Sequence, residues 1–191
     1  MQAGLMVLGL VMIAIPPLAM ALQGFAKTPA SLTVLRMAAL EAFTLVVADL
    51  VTGAFRPWLN RVFKARKVQR FHTVVALTGF SLAIAHGTIA LIQGVSTYVQ
   101  AAVWLGPVVV FLLFAAILTA LTRRRLRRSW RWVHRANYLL FAIVLVHSLV
   151  NGYNLQTQVF LKVIFGVYAA VFLAGFYYRL NALLKTRRRP A

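Results

Sequence analysis

The feature that most constrains this chain is a recurrence of long apolar runs, parted by short connections that are either nearly neutral or strongly basic. About 20 predominantly apolar residues are needed for a helix to cross the hydrocarbon of a bilayer, and these runs reach that length. Strands of a membrane barrel would alternate apolar with polar residues, and these runs do not. The bulk figures agree: 62% of residues are hydrophobic and 12% charged, far from the balance of an ordinary soluble domain. The pattern predicts an all-α, polytopic membrane helical bundle, a single domain over residues 1–191 with six transmembrane helices near 4–25, 33–55, 72–94, 102–121, 132–152 and 158–179. Short connections should pack such helices as a compact bundle.

The charges fix an orientation. There are 21 Lys and Arg against two acids, a balance that invites a nucleic-acid reading. Placement argues otherwise. Eighteen of the 21 fall in three blocks, 56–70, 123–135 and 179–189, in alternate gaps between apolar runs. This is how cytoplasmic loops look under the positive-inside rule, and such loops attract anionic lipid head groups. No nucleic-acid partner is expected. The connections 24–32, 95–101 and 152–159 then lie outside, and both termini are cytoplasmic, in a plasma (inner) membrane. Within the first span, Pro16-Pro17 and the small-residue run Ala19-Met20-Ala21 also allow a cleaved signal peptide. The first ten residues lack the usual positive charge, which favours retention.

Several chemistries are excluded. With no cysteine, disulfides, iron–sulfur clusters and thiolate-ligated heme are out. Two acids cannot build a carboxylate pair or a Ser-His-Asp hydrolase. No HExxH, GxGxxG or GxxxxGK[ST] occurs, and about a dozen residues follow the last span, too few for a flavin or nicotinamide domain. No catalytic residue is assigned.

The four histidines remain. His72 and His86 lie in the third span, His134 and His147 in the fifth. Ionisable groups in a membrane are costly and tend to mark function. Fourteen residues separate the first pair, roughly 21 Å and about 3.9 turns, so both rings share a helix face. Thirteen separate the second, which puts its rings about 140° apart on an ideal straight helix. That pair needs local overwinding, a tilt, or cofactors met from different angles. The two spans run the same way, so His72 and His134 lie near the cytoplasmic side and His86 and His147 in the outer half. Two imidazoles from facing helices at one depth can hold a heme iron from both sides. Two such clamps make a route for electrons, with no open axial position for direct oxygen binding. Zinc is disfavoured because the pairs are far apart and acidic or thiol co-ligands are lacking.

The surroundings admit two readings each. Gly79, seven residues from each histidine of its span, and Gly87 could admit a macrocycle or simply a neighbouring backbone. Arg70, Arg131 and Arg135, at the depth of the inner pair, could bind heme propionates or only set topology. Tyr138 and Phe141 could bridge the two depths or fill the core. Asp49 is expected to pair with Arg56, seven residues on. Glu41, deeper in the second span, could be protonated, bond a neighbouring helix or relay protons. A small proton-coupled transporter without heme, or a scaffold subunit whose basic loops dock a partner or acidic lipid, is the competing class.

The pattern His-x13-His followed by His-x12-His resembles the ferric-reductase-like transmembrane domain, found in ferric reductases, NADPH oxidases and the heme-binding subunit of methionine-sulfoxide reductases. The resemblance covers roughly residues 33–180. It is most specific in SWRWVHRANYLLFAIVLVH (129–147), with Trp130, Trp132, His134, Arg135 and Tyr138 in family-like places. Spacing alone is less specific, since respiratory cytochromes b use similar intervals. The resemblance implies six helices, two heme b groups and pairing of His72 with His134 (inner) and His86 with His147 (outer). It implies tolerance of the 13-residue interval. Arg36 resembles the arginine that the oxidases place by the outer heme. Their further histidine, one turn past the outer ligand, is replaced here by Ala90, which argues against superoxide production. The resulting expectation is a diheme b-type cytochrome, the electron-transfer subunit of an oxidoreductase. A separate flavoprotein or quinol would be its donor, and ferric iron, oxygen or a periplasmic reductase its external acceptor.

Overall fold

A computed structural model of the chain describes residues 2–22, 29–94, 100–127 and 129–187. Among these residues the secondary structure is helical throughout. Its elements are α1 (Gln2–Leu22), α2 (Ala30–Ala54), α3 (Arg56–Val62), α4 (Ala65–Gln93), α5 (Gln100–Val103), α6 (Leu105–Leu121), α7 (Arg123–Leu126), α8 (Trp130–Arg135), α9 (Asn137–Asn151), α10 (Tyr153–Thr157) and α11 (Val159–Arg187).

The breaks follow local chemistry. Pro57 in the first turn of α3 fixes its own backbone and lacks an N–H, so the chain turns where α2 ends at Ala54. Gly94 closes α4 in the left-handed conformation, at φ 56°, a geometry that costs glycine nothing. Between α8 and α9 the Ala136 amide bonds to the Val133 carbonyl, three residues back. That is a 3₁₀ turn, tighter than α. It lies between His134 and His147 and rotates them in the sense that the 13-residue interval requires.

The long helices α1, α2, α4, α6, α9 (with α8) and α11 alternate in direction. Leu35 and Asp49 of α2 meet His86 and His72 of α4, so these two run antiparallel. Thr44 and Ala54 of α2 meet Tyr168 and Gly175 of α11, so those two run parallel. Gln158 donates to the Ala19 carbonyl, tying α1 to the start of α11. Alternation gathers the basic segments of α3, α7, α8 and the end of α11 at one end of the bundle.

Helix α2 sits at the centre, with Phe43, Thr44, Leu45, Val46 and Val47 all buried. Its Phe43 stacks on Phe165 at 4.3 Å, and Phe141 of α9 stacks on Phe172 of α11 at 4.2 Å. Phe141 therefore fills the core at mid-depth. Gly79 is buried against α2, where a Cβ would lie 3.2 Å from that of Leu45; it serves helix contact, not a macrocycle. Gly87 faces open space, with nothing within 4 Å of a Cβ there.

The outer surface is apolar. Leu91 and Ile92 are each 80% exposed and Leu121 73%, an exposure that suits lipid. Among the described residues, three helical segments are long and apolar enough to cross a membrane: Ala65–Gln93, Trp130–Asn151 and Val159–Lys185. The chain is thus an all-helical protein of membrane type.

Candidate functional site

The bundle brings the histidines together in two layers. At the basic end, the rings of His72 and His134 lie 6.0 Å apart between centres, at 77° to one another. At the opposite end lie His86 of α4 and His147 of α9, within electrostatic range of one another.

Hydrogen bonds fix three of the four rings. The Nδ1 of His86 lies 3.2 Å from the Leu35 carbonyl and that of His147 lies 2.9 Å from the Ala102 carbonyl. A carbonyl can only accept, so each Nδ1 carries the proton and each Nε2 keeps its lone pair. The Ala102 carbonyl is one of the last of α5, which ends at Val103, and such terminal carbonyls need partners from outside their own helix. The Nδ1 of His72 lies 2.7 Å from a carboxylate oxygen of Asp49 and 3.2 Å from the Thr52 hydroxyl. That hydroxyl spends its own hydrogen on the Asp49 carbonyl at 2.9 Å, so it accepts from His72. All three imidazoles are therefore held by Nδ1 and offer Nε2 as a base. Metal-ligating histidines are characteristically held in this way. The fourth, His134, has a buried Nδ1 with no hydrogen-bond partner among the described residues; its ring packs against Trp130 at 5.6 Å.

A cavity of about 640 Å³ opens at the inner pair, within the range of roughly 300–1,000 Å³ that cofactor sites occupy. His72, His134, Asp49, Gly53 and Tyr138 line it, with Arg56, Arg131, Arg135 and Arg179. Two of the three arginines expected from the sequence thus reach the cavity. Arg70 does not line it and lies exposed on α4. Arg179 also donates to the Gly53 carbonyl at 2.6 Å. Asp49 binds His72 in place of the expected Arg56.

Glycine brings backbone close to two of the rings. A Cβ at Gly53 would lie 3.7 Å from Cε1 of His72, and one at Gly106 would lie 3.6 Å from Cε1 of His147. At the outer layer, Arg36 follows Leu35 and stacks its guanidinium over Tyr153 at 4.2 Å. Glu41 has a buried carboxyl oxygen without a hydrogen-bond partner among the described residues.

The residues meet the spacing requirement of a bis-imidazole metal group at the inner layer. A nitrogen–metal bond of about 2 Å and roughly 1.1 Å from nitrogen to ring centre, on each side, separate two axial rings by about 6.2 Å. The 6.0 Å spacing of His72 and His134 agrees with that separation, and ring planes can turn freely about the shared axis. Among the described residues no group of three or more His, Asp or Glu converges, which does not suit a tetrahedral metal centre. No family model matches the chain, and no curated protein matches it significantly. The class is defined by fold and site alone: a membrane-type helical bundle with two layers of paired histidines.

Proposed function

We propose that this protein is a diheme b-type membrane cytochrome, taking electrons from a cytosolic donor and passing them to an acceptor on the other face. The observation that carries the reading is the pattern of imidazole bonding. Three rings are fixed by Nδ1 with Nε2 left basic, and the inner pair is spaced for one shared metal beside a cavity of about 640 Å³. His72 and His134 would hold the inner heme and His86 and His147 the outer. When bound, these groups supply one-electron transfer.

The chain's own part is binding, orientation and exclusion of water. Asp49, Thr52, Leu35 and Ala102 hold ring tautomers. Arg131 and Arg135, joined by Arg56 and Arg179, offer charge-assisted partners to propionates. Phe43, Phe141, Phe165 and Phe172 keep the middle dry. Six spans, with basic loops and both termini in the cytoplasm of an inner membrane, belong to the same proposal, and the clustering of basic segments at one end of the bundle supports that orientation. A flavoprotein or quinol is the proposed donor, and iron, oxygen or a periplasmic reductase the proposed acceptor. The reading places the chain beside the ferric-reductase-like transmembrane domains, which segment 129–147 resembles.

The test is electron crossing in proteoliposomes with ferricyanide sealed inside and a reductant that cannot cross the membrane outside. Reduction of the trapped ferricyanide that depends on the protein and is abolished in His72→Ala supports the reading. Colourless protein that instead moves protons with a solute would refute it in favour of the transporter.

A further inference from the structure

The two histidine layers differ in one respect that their spacing does not show. Both outer rings, His86 and His147, are held by neutral backbone carbonyls. The inner ring of His72 instead has its Nδ1 in ion-pair contact with a carboxylate oxygen of Asp49 at 2.7 Å, beside its hydrogen bond to the Thr52 hydroxyl at 3.2 Å. Asp49 is the partner of this one histidine only, and its side chain is 13% exposed. The other acid, Glu41, lies eight residues away on the same helix, and no contact joins it to any histidine among the described residues.

We propose that Asp49 is a positioning residue that makes the two sites electrochemically unequal, by enriching the electron density of the His72 imidazole and so lowering the reduction potential of the inner site alone. The proposal rests on the diheme reading. A carboxylate bonded to the distal nitrogen of a ligating imidazole raises the basicity of the ligating one. A more basic ligand favours the oxidised, more positive metal over the reduced one. The buried carboxylate adds its own field with the same sign, and low dielectric preserves it. A backbone carbonyl donates no net charge and leaves the outer site without this bias. The arginines around the inner cavity, Arg56, Arg131, Arg135 and Arg179, act in the opposite sense. The effect of Asp49 is therefore measured as a difference on one residue, with those charges held constant. Functionally, an inner site made easier to oxidise passes its electron outward.

The experiment is a potentiometric titration of the purified full-length protein, wild type against Asp49→Asn. Asparagine keeps an acceptor oxygen, and Thr52 at 3.2 Å remains as a second acceptor, so the ring keeps its tautomer while the charge is lost. The expected result is a rise of one midpoint by at least tenfold in the reduction equilibrium, 59 mV for one electron. The other midpoint stays in place. The component that moves is the one lost in His72→Ala. Asp49→Glu, which keeps the charge, leaves both midpoints near their wild-type values. Two retained hemes with neither midpoint moved in Asp49→Asn would overturn the role of Asp49 and leave the diheme reading standing. A rise of 59 mV or more in Asp49→Glu would overturn it too, even where Asp49→Asn proves unfolded. Wild-type protein purified without heme would sink the diheme reading itself.

Discussion

Gly53 sets a limit on how closely the backbone of α2 passes the inner imidazole, and enlarging it has a calculable effect. A Cβ at this position lies 3.7 Å from Cε1 of His72, which is ordinary van der Waals contact. Gly53→Ala therefore fits without displacement of the ring. The helix-interior preference for alanine is worth about 1 kcal/mol, so this variant is no less stable than wild type. Gly53→Leu adds three further carbons, the first about 1.5 Å beyond the Cβ. They extend toward His72 or into the cavity that Gly53 lines, and either way take space from the inner site. Overpacking of this kind costs about 1–3 kcal/mol, equivalent to roughly 5- to 150-fold in the affinity of the inner site. The assay is transfer of heme to an excess of heme-scavenging globin, followed optically, with the fast-lost component assigned by comparison with His72→Ala. Gly53→Leu loses its inner heme faster by a factor in that range, and Gly53→Ala and Gly87→Ala match wild type. Gly53→Leu retaining both hemes as firmly as wild type would refute the argument that α2 backbone shapes the inner site.

Three further outcomes are expected. Phe141→Ala opens a void of about 100 Å³ in the core, worth about 2.4 kcal/mol at ~24 cal/mol per Å³; it lowers the midpoint of thermal unfolding in detergent while both hemes still bind. Arg179→Gln breaks the 2.6 Å bond to the Gly53 carbonyl and removes a cavity charge, so it weakens inner heme retention, whereas Arg70→Gln leaves retention unchanged. The chain has no cysteine, so single cysteines report topology on a clean background: in right-side-out vesicles a membrane-impermeant thiol reagent labels Val159→Cys and leaves Lys64→Cys unmodified until the membrane is opened.

The helical class and the three segments long enough to cross a membrane were legible as length and hydropathy, because the bilayer imposes both. The pairing of His72 with His134 was also legible, since two helices running the same way bring equal depths together. The partners of the imidazoles were not. Asp49 was expected to reach Arg56 along its own helix, because spacing within one helix is the only geometry that a single segment displays. The actual partner, His72, comes from the α2–α4 hairpin. Asp49 with His72 and Leu35 with His86 are both symmetric about Asn60–Arg61 in α3, a register that a turn running from Pro57 to Lys64 would have suggested. Arg56 and Arg179 joined the cavity through the tertiary approach of α3 and α11, which no local pattern encodes. The 13-residue interval of His134 and His147 looked like a defect in an ideal helix. The 3₁₀ turn at Ala136 supplies rotation in the needed sense, and 3₁₀ turns have little sequence signature of their own.

The central claim is that four imidazoles hold two iron porphyrins at two depths, and counting those porphyrins tests it most directly. Heme content per chain, measured as the pyridine hemochrome of purified protein, is predicted to be two for wild type. It falls to one when either His72 or His134 is replaced by alanine, and again to one when either His86 or His147 is replaced. A wild-type value near zero, or a full complement of two in any of those four variants, would contradict the account.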